Sequence, residues 1–167
     1  NHPSQNLIAF TTRVETIYGV SFLAIATDHP LAIKLAETSK QAKDYITTCN
    51  NASVAEAAQA NIEKTGIDTG LFATNPLNGK KISIWIANYV VSGAGTSCVM
   101  GVPAHDARDH AFAIKYDLEI LPVIDNDGPA WDYQKAAMIE ESGQLINSKN
   151  HNALDITTAR DNITTSL

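Results

Sequence analysis

Cysteine is scarce: the 167 residues contain two, Cys49 and Cys98. They form no CxxC spacing and no signal-like segment opens the chain, so neither a disulfide framework nor a zinc site is expected, and a reducing cytosol suits the sequence. Basic charge is also short. Twelve Lys and Arg against 18 Asp and Glu leave a formal net charge of −6, whereas a free-standing nucleic-acid binder normally carries a basic face that exploits counterion release. Any nucleic acid must then be held mostly by something else. Long apolar runs are missing too: the longest, "VSFLAIA", is far too short to cross a bilayer, so no membrane partner is expected. There is no Gly-rich phosphate loop, no assembled Ser-His-Asp set, no internal repeat and no low-complexity tract. An initiator Met is absent from the polar "NHPSQN" lead, which reads as a domain cut from a longer protein.

What remains is a 17.9 kDa chain that is 44% hydrophobic, enough for one domain over residues 1–167 with a sizeable core. Leu7 to Thr12 and Val20 to Thr27 are apolar, β-branched or hydroxylated, and predict two strands separated by a turn at Gly19. After Pro30 the texture changes. Leu31 to Cys49 and Ser53 to Lys64 repeat apolar residues at three- and four-residue spacing, which predicts amphipathic helices, with Ser53 and Glu56 as a capping box and Gly66 as the stop. The run "GLFATNPLNGKKISIWIANYVV" predicts a hairpin turning at "PLNG". Val99 to Val102 predicts another strand. Ala104 to Leu118 predicts a helix with Phe112, Ala113 and Tyr116 on its apolar stripe, followed by a strand in "EILPVI" and a turn-rich remainder. A last helix is expected over Ile156 to Thr164. Strands joined mostly by turns imply a mixed α/β (α+β) fold, with a β-barrel-like core of mixed strands flanked by helices.

Two polar clusters interrupt this framework: "TTRVET" at Thr11 to Thr16, and "GTSCVMGVPAHDARD" at Gly95 to Asp109. If the second begins a helix after Pro103, Asp106 and Asp109 project from one face near the positive end of its dipole, where a cationic group would be well placed. Helix capping explains the same two carboxylates without any ligand. His105 and His110 lack a third and fourth partner at metal-ligand spacing, so no metal is expected. Thr11 and Thr12 alone suit a strand, Arg13 alone suits solvent, and Cys98 beside Val99 and Met100 suits a buried position.

Taken together and in this order, the clusters resemble the editing domain inserted into leucyl-tRNA synthetase. "FTTRVETIYGVSFLAIATDHPLA" is similar to that family's threonine-rich segment, "EKTGIDTGLFATNPLNGKKISIWIANYV" to its central hairpin, and "GTSCVMGVPAHDARDHAFAIKYDLEILPVI" to its aspartate-bearing segment. The resemblance runs from Phe10 to Ile124 and continues more weakly through "LINSKNHNALD". Related editing domains occur in isoleucyl- and valyl-tRNA synthetases. Met100 and Arg108 in "VMGVPAHDARD" resemble the leucyl pattern, whereas the valyl pattern has Asn at the position of Arg108. Two departures stand out: Val14-Glu15 where the family usually has Pro-Asp, and Ser97-Cys98 where it usually has Gly-Ala.

The resemblance implies the class I synthetase editing-domain fold and hydrolysis of the aminoacyl ester of tRNA(Leu) mischarged with Ile, Met or norvaline, while cognate Leu-tRNA(Leu) is excluded. Such a second sieve is needed because one methylene gives only about 1–3 kcal/mol of discrimination. It further implies Thr11, Thr12 and Asp109 as catalytic, with Asp109 receiving the substrate's α-ammonium. Arg13, Thr16, Met100, His105 and Asp106 complete the substrate-binding set, the Thr16 methyl crowding out leucine and Arg13 meeting the terminal phosphate or ribose. No cofactor is implied for the domain, although the parent enzyme uses ATP and Mg. The implied partners are the 3′ end of aminoacylated tRNA(Leu) and the remainder of the synthetase, in the cytoplasm. The alternatives are a valyl or isoleucyl editing domain, a tRNA-binding insertion whose activity has decayed, and a free-standing editing hydrolase.

Overall fold

A computed structural model describes residues 6–51, 63–91, 93, 95–126, 128–139 and 142–167. The helix expected from Ser53, with its Ser53/Glu56 capping box, lies outside the described residues as far as position 62, and Glu63 to Thr65 are not helical. The chain divides into two compact units interleaved in sequence, one from residues 1–10, 23–73 and 83–99, the other from residues 11–22, 74–82 and 100–167.

The fold is mixed α/β. Strands β1 (Phe22–Ile25), β2 (Gly66–Thr74), β3 (Lys81–Ala87) and β4 (Cys98–Gly101) form one sheet in the order β2-β3-β1-β4. The central place of β1 follows from its composition, since Phe22, Leu23, Ala24 and Ile25 are all buried and a strand covered on both faces reads as a continuous apolar run. The expected barrel-like closure is not formed among the described residues: β2 and β4 stay at the two edges of the order. Beyond Gly66, β2 is half-buried or exposed, with Phe72 61% exposed, so it lacks the second apolar face that a closed wall would use.

In the first unit, the helix expected over Leu31 to Cys49 is two helices, α1 (Pro30–Thr38) and α2 (Lys40–Asn51). Ser39 divides them by leaving helical geometry and accepting the Ala42 N–H on its Oγ at 3.2 Å, the capping competition that makes Ser a poor mid-helix residue. The predicted strand Leu7 to Thr12 reduces, within this unit, to an isolated bridge of Phe10 with Val99, where Phe10 N–H donates to the Cys98 carbonyl at 2.8 Å.

The second unit is built around Tyr18, Val123, Ile124, Met138, Leu145, Ile156, Ala159 and Ile163. A 3-10 helix covers Val14–Gly19 where a simple turn was expected, α3 spans Ala107–Tyr116 and α4 spans Ile156–Ser166. Phe112 and Ala113 are buried as the helical stripe requires, and Phe112 stacks on Phe22 with ring centroids 4.9 Å apart. Gly101 is obligatory against that stack, because a Cβ there would lie 2.4 Å from the Phe22 ring. The strand expected over "EILPVI" shrinks to β5 (Ile124–Asp125), paired antiparallel with β6 (Gln144–Leu145). Pro122 explains part of this, since it has no N–H to give a ladder. The hairpin turn is as expected: Asn75 N–H reaches the Lys80 carbonyl and Gly79 N–H the Asn75 carbonyl, both at 2.9 Å. Buried Asn75 also donates its side-chain amide to the Ile17 carbonyl at 2.9 Å, tying the turn to the 3-10 helix. No helix among the described residues is long and apolar enough to cross a membrane.

Candidate functional site

All the candidate residues, from Thr11 to Thr16 and from Met100 to Asp109, fall in the second unit. The threonine segment is a loop that runs into the 3-10 helix, and its own hydroxyls shape it. Thr11 Oγ1 accepts the Arg13 N–H at 3.0 Å, which turns the chain out of an extended path, and the Thr16 hydroxyl donates to the Arg13 carbonyl at 2.8 Å. Thr12 lies at the resulting bend and is exposed, Thr11 is half-buried and Thr16 is 2% exposed.

The aspartate segment follows β4, on which Met100 is half-buried. Asp106 is the N-cap of α3: its Oδ1 accepts the Arg108 and Asp109 N–H groups at 2.8 and 3.2 Å, and its Oδ2 meets the Arg108 guanidinium at 2.8 Å. Burial pushes the Asp106 carboxyl up, but Arg108 and the two backbone donors outweigh it and hold it below its ordinary value. The capping interpretation is therefore realised for Asp106. Asp109, in the first turn of α3, is 4% exposed, and its Oδ2 accepts the buried Val102 N–H at 2.9 Å. That bond braces the connection between β4 and α3.

His105 is fixed from both sides. Its Nδ1 is 3.0 Å from the Met138 carbonyl, and its Nε2 is 3.0 and 3.2 Å from the Val123 and Ile124 N–H groups. This pattern requires a neutral ring with the proton on Nδ1, because Nε2 must accept. Burial lowers the His105 pKa to about 4; the Met138 carbonyl pulls the other way, and the nearby Arg13 charge adds to the lowering. With both nitrogens held by backbone, His105 positions the segment around it. His110 similarly places Nε2 2.8 Å from the Tyr133 carbonyl. No group of His, Cys, Asp and Glu among the described residues could hold a metal. Cys98 is 1% exposed, and burial drives its thiol up to about 12, which makes it inert as a nucleophile.

Arg13 joins the two clusters. Its Nη1 donates to the His105 carbonyl at 3.2 Å across 92 residues of sequence, and its Nε donates to Glu15 Oε1 at 3.1 Å. Its Nη2 is buried and has no hydrogen-bond partner among the described residues. Glu15 is 0% exposed and is held from its other side by Arg160 of α4. Sequence reasoning singled out Glu15 only as a departure from a pattern and missed Arg160 altogether; nothing local to α4 signals it. A separate cleft of about 360 Å³, lined by Asp125, Gln144 to Asn147, Asn152 and Ala153, contains none of the candidate residues.

The geometry can be set beside known proteins. The family model described as "Leucyl-tRNA synthetase, editing domain" matches residues 1–167. A leucine--tRNA ligase from Coxiella burnetii is 50% identical over 154 residues, and one from Histophilus somni is 47% identical over 155; each alignment covers 92% of this chain. The chain spans 19% of the length of the first relative and 18% of the second. A crystal structure of a ternary complex of the Agrobacterium radiobacter K84 AgnB2 leucyl-tRNA synthetase with tRNA and LeuAMS is also similar. It has a TM-score of 0.64 and 33% identity, over 83% of this chain and 17% of that one. With the whole chain matched by the family model and nearly all of it aligned at such identity, this chain belongs to the leucyl-tRNA synthetase editing-domain family.

Proposed function

We propose that this chain is the post-transfer editing domain of a cytoplasmic leucine-tRNA ligase, which hydrolyses the ester of tRNA(Leu) mischarged with Ile, Met or norvaline and spares Leu-tRNA(Leu). The observation that carries this reading is the Arg13–His105 bond, which brings the threonine loop and the aspartate-bearing helix start into one constellation, with the unpartnered Arg13 Nη2 beside them. An aminoacyl ester is already activated, so the domain has mainly to hold ester and water in attack geometry and to support the oxyanion. Water forms the new bond to the carbonyl carbon, the bond to the ribose oxygen breaks, and that oxygen takes up a proton as the amino acid leaves. Thr11 and Thr12 hydrogen-bond the substrate, the water or the oxyanion. Asp109 receives the α-ammonium, Asp106 supports it electrostatically, and Arg13 meets the terminal phosphate or ribose. Thr16 and Met100 form the wall that excludes leucine, and His105 holds the segment that bears the carboxylates. The remainder of the synthetase delivers the tRNA end and uses ATP and Mg in its own reaction; the editing step draws on neither.

The test is deacylation, by the full-length protein, of tRNA(Leu) charged with Ile, with Met and with Leu. Loss of the first two esters with survival of the third is expected. Equal rates on all three would remove the sieve, and no hydrolysis of any would favour the reading of a tRNA-binding insertion, for which the Val102–Asp109 and Asp106 capping bonds would be sufficient roles.

A further inference from the structure

Among the described residues of the second unit Glu15 is the most deeply buried charged one, and the function proposed above leaves its role unassigned. Its side chain has no exposure, yet three charge-assisted bonds converge on its two oxygens. Arg13 Nε donates to Oε1 at 3.1 Å, while Arg160 Nε donates to Oε2 at 3.1 Å and Arg160 Nη2 to Oε1 at 3.3 Å. Arg13 is in turn the node of the threonine loop: its N–H is held by Thr11, its carbonyl by Thr16, and its Nη1 by the His105 carbonyl. The direction in which the Arg13 guanidinium points is therefore set by Glu15, and the position of the Glu15 carboxylate is set by Arg160.

We propose that Arg160, on α4, is a positioning residue for ester hydrolysis, acting through Glu15 and Arg13 on the threonine loop; this rests on the editing function proposed above. A carboxylate removed from water is tolerated only when its lone pairs are filled by well-placed cations. With Arg160 removed, Glu15 retains Arg13 alone and draws on water or on a rotated Arg13 for the rest, and either response displaces Thr11 and the buried Nη2. α4 packs directly against the 3-10 helix, and although the Arg160 side chain is 43% exposed, the Glu15 carboxylate that it meets is fully buried.

The experiment uses the full-length protein with Ile-charged tRNA(Leu), and follows deacylation, leucylation and thermal unfolding in the same preparations. Arg160→Ala should lower the deacylation kcat by about tenfold to a hundredfold, the scale expected when a catalytic group is displaced by roughly 1 Å, with leucylation preserved. Arg160→Lys, which retains the cation, should recover part of the loss. In the double variant with Thr11→Ala, the combined loss should be smaller than the product of the two single losses, because both act on one loop. An unchanged kcat in Arg160→Ala, or a loss that merely follows the folded fraction and is not recovered by Lys, overturns this inference while leaving the editing function standing. Absence of hydrolysis by the unmutated protein overturns both.

Discussion

Asp109 offers the sharpest separation between a structural role, which its bond to Val102 shows, and the chemical role proposed for it above. Its Oδ2 accepts the Val102 N–H at 2.9 Å, and Val102 is itself 4% exposed, so water does not readily replace the carboxylate. Asp109→Ala leaves that N–H unsatisfied at a cost of about 1–3 kcal/mol. It also gives up a favourable first-turn charge of about 0.3–1 kcal/mol, partly offset by the better helix propensity of Ala. At about 2–4 °C per kcal/mol for a chain of this size, Tm should fall by several degrees. Asp109→Asn keeps a carbonyl oxygen for Val102 and loses only the charge, so its Tm should stay close to that of the parent. Deacylation of Ile-charged tRNA(Leu) should collapse in both variants, since neither can pair with an α-ammonium. Thermal unfolding and deacylation measured side by side decide the matter. If Asn retains full hydrolysis, the negative charge has no part in catalysis; if Asn is destabilised as much as Ala, the Val102 bond is not what Asp109 contributes to the fold.

Two further outcomes are expected. Thr16 is buried with its hydroxyl on the Arg13 carbonyl, so Thr16→Val keeps the methyl wall and should still spare Leu-tRNA, whereas Thr16→Ala should relax discrimination by about 1–3 kcal/mol and begin to hydrolyse it; identical leucine exclusion in both variants would place the sieve elsewhere. His105 is held neutral with a pKa near 4 against an ordinary value of 6.5, so the unfolded chain binds more protons than the folded one between those values. Its contribution, roughly 3 kcal/mol, is complete above about pH 6.5 and is lost as pH falls toward 4. Denaturant titrations from pH 7 to pH 4 should show that slope and His105→Gln should flatten it; an unchanged slope would assign the acid sensitivity to other groups.

The sequence exposes those parts of the fold that depend on local pattern. The hairpin at "PLNG", the stripe of Phe112 and Ala113 on α3 and the closing helix all follow from spacing and turn chemistry over a few residues. Two of the misses have a common origin in side chains that bind nearby backbone. Ser39 looks like one more polar position in a continuous amphipathic pattern, and only its bond to Ala42 N–H makes it a boundary. Thr11 looks like a strand residue by propensity, and its bond to Arg13 N–H makes it a turn. Ser and Thr carry both options, and pattern alone does not choose between them. Closure of the sheet is a different kind of property, since it depends on which edges meet across the chain.

The candidate site is proposed from the sequence for a similar reason: the threonines, Arg13 and the two aspartates lie in compact runs, and compact runs can be matched. What holds those runs together is not compact. Glu15 and Arg160 are separated by 145 residues, Arg13 and the His105 carbonyl by 92. Val14 follows Arg13 where the resembled pattern has proline, so no fixed φ holds the turn after Arg13. In the structure that turn is held by other means: Thr11 and Thr16 bond the Arg13 backbone on both sides, while the longer Glu15 side chain anchors the guanidinium and takes a second arginine from α4. The loop thus combines local hydroxyl bonds with a long-range ionic brace, which ties it to a helix that contributes no residue of either motif.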